Sequence, residues 1–376
     1  MMKFTVTAAA AAFAAQGAIA GGLDRSGQPI GIIFEQGNYA ELSFGSTTAG
    51  VTGVDTLSNT IGNVANNFQT VSGAIKYQFS DQFSLALIAD QPFGSDILYP
   101  GSSATTMLGR TAAKAESFSL TALGRYQFSD RFSAHAGVRY QTISGDITLS
   151  GLAYGGLNGY NVALSRGDGI GYVVGGAFEI PEYAMRIALT YNSEIKHDLA
   201  TAETVGGVAV FGASPDTEIK SPASINLDFQ TGLNPKTLLF GSVRYAKWSD
   251  LKISPTGFDA SVDPGTPGSS ISDLEDSFNY SLGVGRKITD NFSASVVLGY
   301  EPEGTDDLVS PLAPTNGNWS IGVGGRYTMD NVTLSGGIRY TKLGDARPET
   351  GTPDTARATF ANNDAVSIGF KIGFQF

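Results

Sequence analysis

The chain has no cysteine, so neither a disulfide scaffold nor a cysteine-based metal site is available to it. It is short of charge, with only 16% Asp, Glu, Lys and Arg, and it has two histidines, which leaves little from which to build a metal cluster. Beyond residue 20 no apolar run approaches the roughly 18 residues that a membrane helix requires. The net charge of -11 makes a nucleic-acid surface a poor expectation. No phosphate-binding loop is present either, and no cofactor is expected.

Aromatic residues, by contrast, make up 10% of the chain, and there are 48 glycines. A disordered chain would have fewer of the first and a helical one fewer of the second. Residues 1–20 carry a single charge, Lys3, then an Ala-rich apolar stretch ending Ala18-Ile19-Ala20, the pattern of a secretory signal with an A-x-A cleavage site. Without it the net charge becomes -12, since only Lys3 is lost from -11.

One phrase recurs along the rest. "YQFSDQFS" at Tyr77–Ser84 returns as "YQFSDRFS" at Tyr126–Ser133, with looser versions from Arg286 and Arg326. Each is a strand end, a polar turn and a new strand. Pro181-Glu182 and Asn234-Pro235-Lys236 add two more tight turns. Between them lie longer polar stretches near 52–65, 92–113, 151–165, 200–217, 254–275, 302–317 and 344–363. A soluble sandwich has no reason to sort short and long connections in this way. An outer-membrane barrel does, with short turns on the periplasmic side and long loops outside. Six turns and seven loops join about fourteen antiparallel strands, with twelve or sixteen as the alternative counts. The fold expected is therefore all-β: a transmembrane antiparallel β-barrel over 38–376.

Alternation within the strands has the same sense. Phe118, Leu120, Ala122 and Tyr126 oppose Ser119, Thr121, Arg125 and Gln127, and Trp319, Ile321 and Val323 oppose Ser320 and Arg326. The chain ends in "VSIGFKIGFQF", Val366–Phe376, whose apolar face would invite aggregation unless another strand covered it. The first strand, from about Asn38 to Gly50, is predicted to do so. The C-terminal aromatic strand resembles the signal by which bacterial outer-membrane barrels are recognised by their assembly machinery, and membrane lipid would surround the outer face.

Such a barrel encloses more space than its side chains fill. Residues 21–37, "GGLDRSGQPIGIIFEQG", with Ile30, Ile32, Ile33 and Phe34 as an apolar cluster, are predicted to form a short luminal plug; a periplasmic tail is the other reading. Pro92 cannot donate to a ladder and Gly94 lets a strand bend, so Pro92, Phe93 and Gly94 mark a kink and a possible opening in the wall. Alternatively, Pro92 opens the 92–113 loop.

Three stretches resemble the FadL-type transporters of long-chain fatty acids and other hydrophobic compounds. They are Ser221–Leu251, with its Pro-x-Ser strand, Gly-Leu turn and Trp-Ser end; "DQPFGSDILYP" at Asp90–Pro100; and the last strand with its preceding "GDA" loop from Gly344. The resemblance implies a fourteen-strand barrel blocked by an N-terminal hatch, passive uptake of a hydrophobic or amphipathic small molecule, and release through a gap in the wall. The family's hatch is longer and usually contains Asn-Pro-Ala-Gly, where this chain has Phe34-Glu35-Gln36-Gly37.

Inward phases also carry charge. Arg125, Arg186 and Arg326 lie near the tight turns, and Arg139, Arg244 and Arg339 form a tier farther up, with Asp228, Glu179 and Glu301 as partners. Most of these form luminal ion pairs on this reading. A guanidinium of the upper tier left without one would grip a ligand carboxylate. His135 shares a face with Ser133, but a lumen-lining histidine is the simpler reading than a catalytic pair, and no enzyme activity is expected. A water-filled general porin and a structural or adhesive barrel are the competing functions.

Overall fold

The computed structural model describes residues 23–210, 214–262, 268–351 and 354–376; the expected signal, residues 1–20, and Gly21 and Gly22 lie outside the described residues. Fourteen wall strands follow in chain order. They are β1 (Tyr39–Gly50), β2 (Phe68–Gln78), β3 (Phe83–Asp90, continued as Gly94–Leu98), β4 (Ala112–Gln127), β5 (Phe132–Leu149), β6 (Tyr160–Ile180) and β7 (Met185–Asn192, continued as Ile195–Leu199 and Thr201–Val205). Then come β8 (Thr217–Ser221 and Ser224–Asn234), β9 (Thr237–Ala246), β10 (Ser277–Lys287), β11 (Phe292–Glu301), β12 (Asn318–Met329), β13 (Val332–Leu343) and β14 (Asp364–Gln375). Each pairs antiparallel with the next, and β14 returns to β1 from Tyr39↔Gln375 to Gly50↔Asp364, so the sheet closes without a free edge. No helix among the described residues is long and apolar enough to cross a membrane; the wall does so with strands.

Period-two alternation puts the apolar residues outside. Ile170 is 71% exposed and Ile368 58%, whereas Ser119, Thr121 and Ser367 are buried in the interior. This inverts the arrangement of a soluble protein, and it is stable only where lipid covers the outer face. Exposed aromatics gather in two girdles. Tyr77, Phe83, Tyr126, Phe132 and Phe374 ring the short-turn rim, while Tyr140, Tyr172, Phe278, Tyr280, Tyr300 and Trp319 ring the other. The final residue is tied in as well: Phe376 N donates to Asn38 O at 3.1 Å, and its ring meets Tyr77 edge-on.

At the closure seam Tyr39, 6% exposed, turns inward across Gly373 of β14, and a Cβ there would fall on the phenol oxygen. Gly373→Val is expected to cost about 1–3 kcal/mol through overpacking. The check is a lower temperature for the heat-induced mobility shift in SDS gels; an unchanged temperature would mean that Tyr39 moves aside freely.

The long-loop rim carries its own small elements, including helix α1 (Thr256–Val262) and a strand at Arg347–Thr350 that pairs with Leu308–Val309. On that strand burial, followed by the nearby Asp354, Asp273 and Asp306 carboxylates, pushes the Glu349 carboxyl up from 4.5 to about 7. The group holds its proton more tightly in the folded loop than in the unfolded chain. Its contribution is therefore complete below about pH 4.5 and is lost as the pH rises through about 7. Amide exchange across 346–350 should accelerate between those limits, and Glu349→Gln should abolish the dependence.

Candidate functional site

The lumen is occupied from the short-turn side by residues 23–37. Ile30, Ile32 and Ile33 are 1–4% exposed and pack on Ala86, Ile88, Leu123 and Val173, where the inward face of the wall turns apolar to receive them. Phe34 lies between two guanidiniums, Arg125 at 4.8 Å and Arg186 at 4.2 Å from its ring centre. Arg125 is also paired with Glu179. Lys76, 1% exposed, donates to Glu35 O at 2.6 Å and Gly37 O at 3.1 Å, so a buried ammonium fastens the start of the barrel to the end of this segment. Farther in, Ser26 donates to Asp90 at 2.6 Å, Ser224 to Gln28 at 2.8 Å and Asn226 to Gly27 O at 2.9 Å.

The three arginines of the upper tier have different surroundings. Arg244, 7% exposed, donates from Nε to Asp24 Oδ2 at 2.6 Å and from its other nitrogens to Ser224, Asn226 and Gln28. Arg139, 4% exposed, meets the neutral acceptors Thr121 at 2.8 Å and Asn192 at 2.9 Å. Arg339, half-buried on β13 opposite Gly322, makes no side-chain hydrogen bond or ion pair with another described residue. Asp24 was missing from any inventory of strand-borne carboxylates because it lies on an irregular segment that alternation does not index.

In the wall, pairing of β2 with β3 ends at Gly73↔Ala89. It resumes only at the Ala65↔Ile97 bridge, beside Leu98 N→Val64 O at 2.8 Å. Between these points residues 67–72 and 90–95 share no backbone bond, and Gln91 Oε1 accepts from Val71 N at 3.1 Å. On its other side β3 passes from Asp90↔Ser119 to Gly94↔Glu116, four residues against three, which is a bulge. The N-terminal segment takes up the freed backbone: Asp24 bridges Phe93, Gly94 N donates to Leu23 O at 2.9 Å, and Arg25 N donates to Pro92 O at 2.8 Å. A Cβ on Gly94 would lie 2.7 Å from the Arg25 guanidinium carbon, so any larger residue would displace that side chain. A polar cleft of ≈ 350 Å³ fills the gap.

Behind the kink is an apolar cavity of ≈ 70 Å³, lined by Leu23, Phe93, Ile143, Leu164, Leu199, Trp248 and Leu312 among others. Trp248, 2% exposed, meets Phe93 edge-on at 5.2 Å. In the apolar core around it, Glu203 accepts from Tyr160 Oη at 2.7 Å and from the first amides of α1, Gly257 N at 3.0 Å and Phe258 N at 2.9 Å. Tyr99 Oη adds a bond to Pro311 O at 2.9 Å. Cavity and gap share Phe93, Ser95, Lys114, Ala115 and Glu116.

A closed wall with lipid outside, its lumen entered by its own N-terminal residues and its kinked third strand backed by an apolar cavity, defines an outer-membrane transport barrel. The sequence matches, over residues 30–310, the family described as outer membrane protein transport protein (OMPP1/FadL/TodX), and the chain belongs to that family. It therefore resides in the outer membrane, with short turns on the periplasmic side and long loops outside. A Pseudomonas aeruginosa FadL homologue has a similar structure: 16% identity, TM-score 0.72, with 93% of this chain and 92% of that one covered. The Pseudomonas putida toluene transporter TodX is similar at 14% identity and TM-score 0.63, with 91% of each chain covered. The CymD monoaromatic hydrocarbon channel is similar at 12% identity and TM-score 0.58, covering 91% and 89%. No curated protein sequence matches the chain.

Proposed function

We propose that this protein is a passive channel for hydrophobic or amphipathic small molecules, which enter from the outside, rest in the apolar cavity behind β3 and leave sideways through the gap in the wall. The carrying observation is that cavity and gap adjoin, sharing Phe93, Ser95 and the Lys114–Glu116 stretch of β4, with Phe93 the one aromatic side chain on both linings. Fatty acids and monoaromatic hydrocarbons are the candidate cargoes. The cavity is smaller than the roughly 150 Å³ that holds benzene in an apolar protein interior, so Phe93 or Trp248 has to swing as a guest enters. Residues 23–37 act as the plug that denies water the direct axial route, which argues against a general porin. Of the upper arginines, Arg339 is the one free to meet an acidic cargo, at a station across the lumen from the cavity.

The test uses the two tryptophans. Trp319→Phe removes the lipid-facing one and leaves Trp248 as the reporter. Toluene, a fatty acid and its methyl ester should each change Trp248 fluorescence saturably, and Arg339→Gln should weaken the acid alone, by roughly tenfold. A Trp248 signal indifferent to all three ligands would sink the cavity as a binding site. Equal losses for acid and ester would return Arg339 to scaffolding.

A further inference from the structure

The cleft in the wall differs in character from the cavity behind it. Arg25 and Arg166 face it without an ion pair to any described residue. Lys114 and Glu116, also on its lining, are paired with each other at 3.0 Å and are 60% and 59% exposed. The remaining charge, Asp96, accepts from Asn66 at 2.7 Å. Three cations against two carboxylates leave a surplus of one positive charge. The Arg25 guanidinium lies 4.2 Å over the Phe68 ring, while its Nε is buried without an acceptor. That is a donor held in place and not used.

The height of the cleft narrows what would use it. On β5, Tyr140 belongs to the outer aromatic girdle, and Thr142, two residues on, lines the cleft opposite Phe118. Four residues farther outward the wall carries Asp146 opposite Lys114. The mouth therefore opens where hydrocarbon gives way to headgroups, not in the middle of the bilayer. A phosphate or carboxylate at that level is the end of an amphiphile lying in the outer leaflet, and guanidiniums suit a phosphate because they donate to two of its oxygens at once.

We infer that the wall cleft is a binding site for the phosphorylated headgroup of a resident membrane lipid, held by Arg25 from the N-terminal segment and Arg166 from β6, with the lipid's chains on the outer apolar face. The lipid closes the gap when no cargo is passing. This site depends on the wall gap but not on what the cavity carries, so a binding experiment separates it from the transport reading above.

The full chain in detergent is incubated with dioctanoyl phosphatidate, dioctanoylglycerol, octanoate or inorganic phosphate, and the adducts are counted by native mass spectrometry. Phosphatidate should be retained and dioctanoylglycerol not. Arg25→Gln and the exposed-surface variant Arg166→Gln should each weaken phosphatidate retention roughly ten- to hundredfold. Retention of inorganic phosphate as strong as that of phosphatidate would make the cleft a free-anion site, and preferential retention of octanoate would make it a cargo site; either overturns the lipid assignment. So would phosphatidate binding that both variants leave unchanged. Lipid binding that persists in a chain whose Trp248 ignores every hydrophobic ligand would leave this inference standing and the transport reading refuted.

Discussion

A chain lacking residues 23–37 is expected to insert as a barrel and to conduct ions in planar bilayers roughly tenfold or more above the full chain, because fourteen strands enclose more space than their own side chains fill. The wall does not need the segment to close, since β14 pairs with β1 along its whole length. Its inner apolar patch at Ile88, Leu123 and Val173 would become wet, and Lys76 would exchange two carbonyl acceptors for water. Single-channel recording decides the matter. Equal conductance for the two chains would mean that residues 23–37 do not obstruct the lumen, and the porin reading would regain its footing.

The second large effect is expected at Asp24. Asp24→Ala leaves Arg244 buried with only neutral acceptors, and removing one member of a buried pair costs about 3–5 kcal/mol. Much of that cost is relieved if the N-terminal segment releases and water reaches the guanidinium. The expected result is frequent opening events in bilayers, together with faster proteolysis near residues 23–30. Arg244→Gln should produce the same openings, and the double variant Asp24→Ala/Arg244→Gln should be no worse than either single one. Fully additive losses would show that the two side chains act independently.

The two halves of this molecule were unequally legible in its sequence. The strand count and the sense of the wall followed from local signals: period-two alternation such as Phe118 to Gln127, and turns such as Ser80-Asp81. The cavity had no such signal. Its lining is drawn from β3 to β8 and from two long loops that have no periodicity, so Trp248 looked like a strand end rather than a wall of a binding site. The charge inventory erred by omission for the same reason. Asp24 and Arg244 are 220 residues apart, and no local pattern links an irregular segment to a strand. Arg25 likewise acquires its role only because β3 bends inward far enough for Pro92 to accept from its amide.

That bend also lets one residue link β3 to the far wall. Asp24 is bridged by its backbone to Phe93 on β3 and by its carboxylate to Arg244 on β9, strands that stand six apart in a ring of fourteen and so lie almost opposite each other. A single residue thus serves as a spoke between facing walls. Three parts share that distance: the kink of β3, Asp24 itself and the Arg244 side chain. Without the Asp24–Arg244 pair, the kink of β3 would keep its backbone bonds to the N-terminal segment but lose its link to β9.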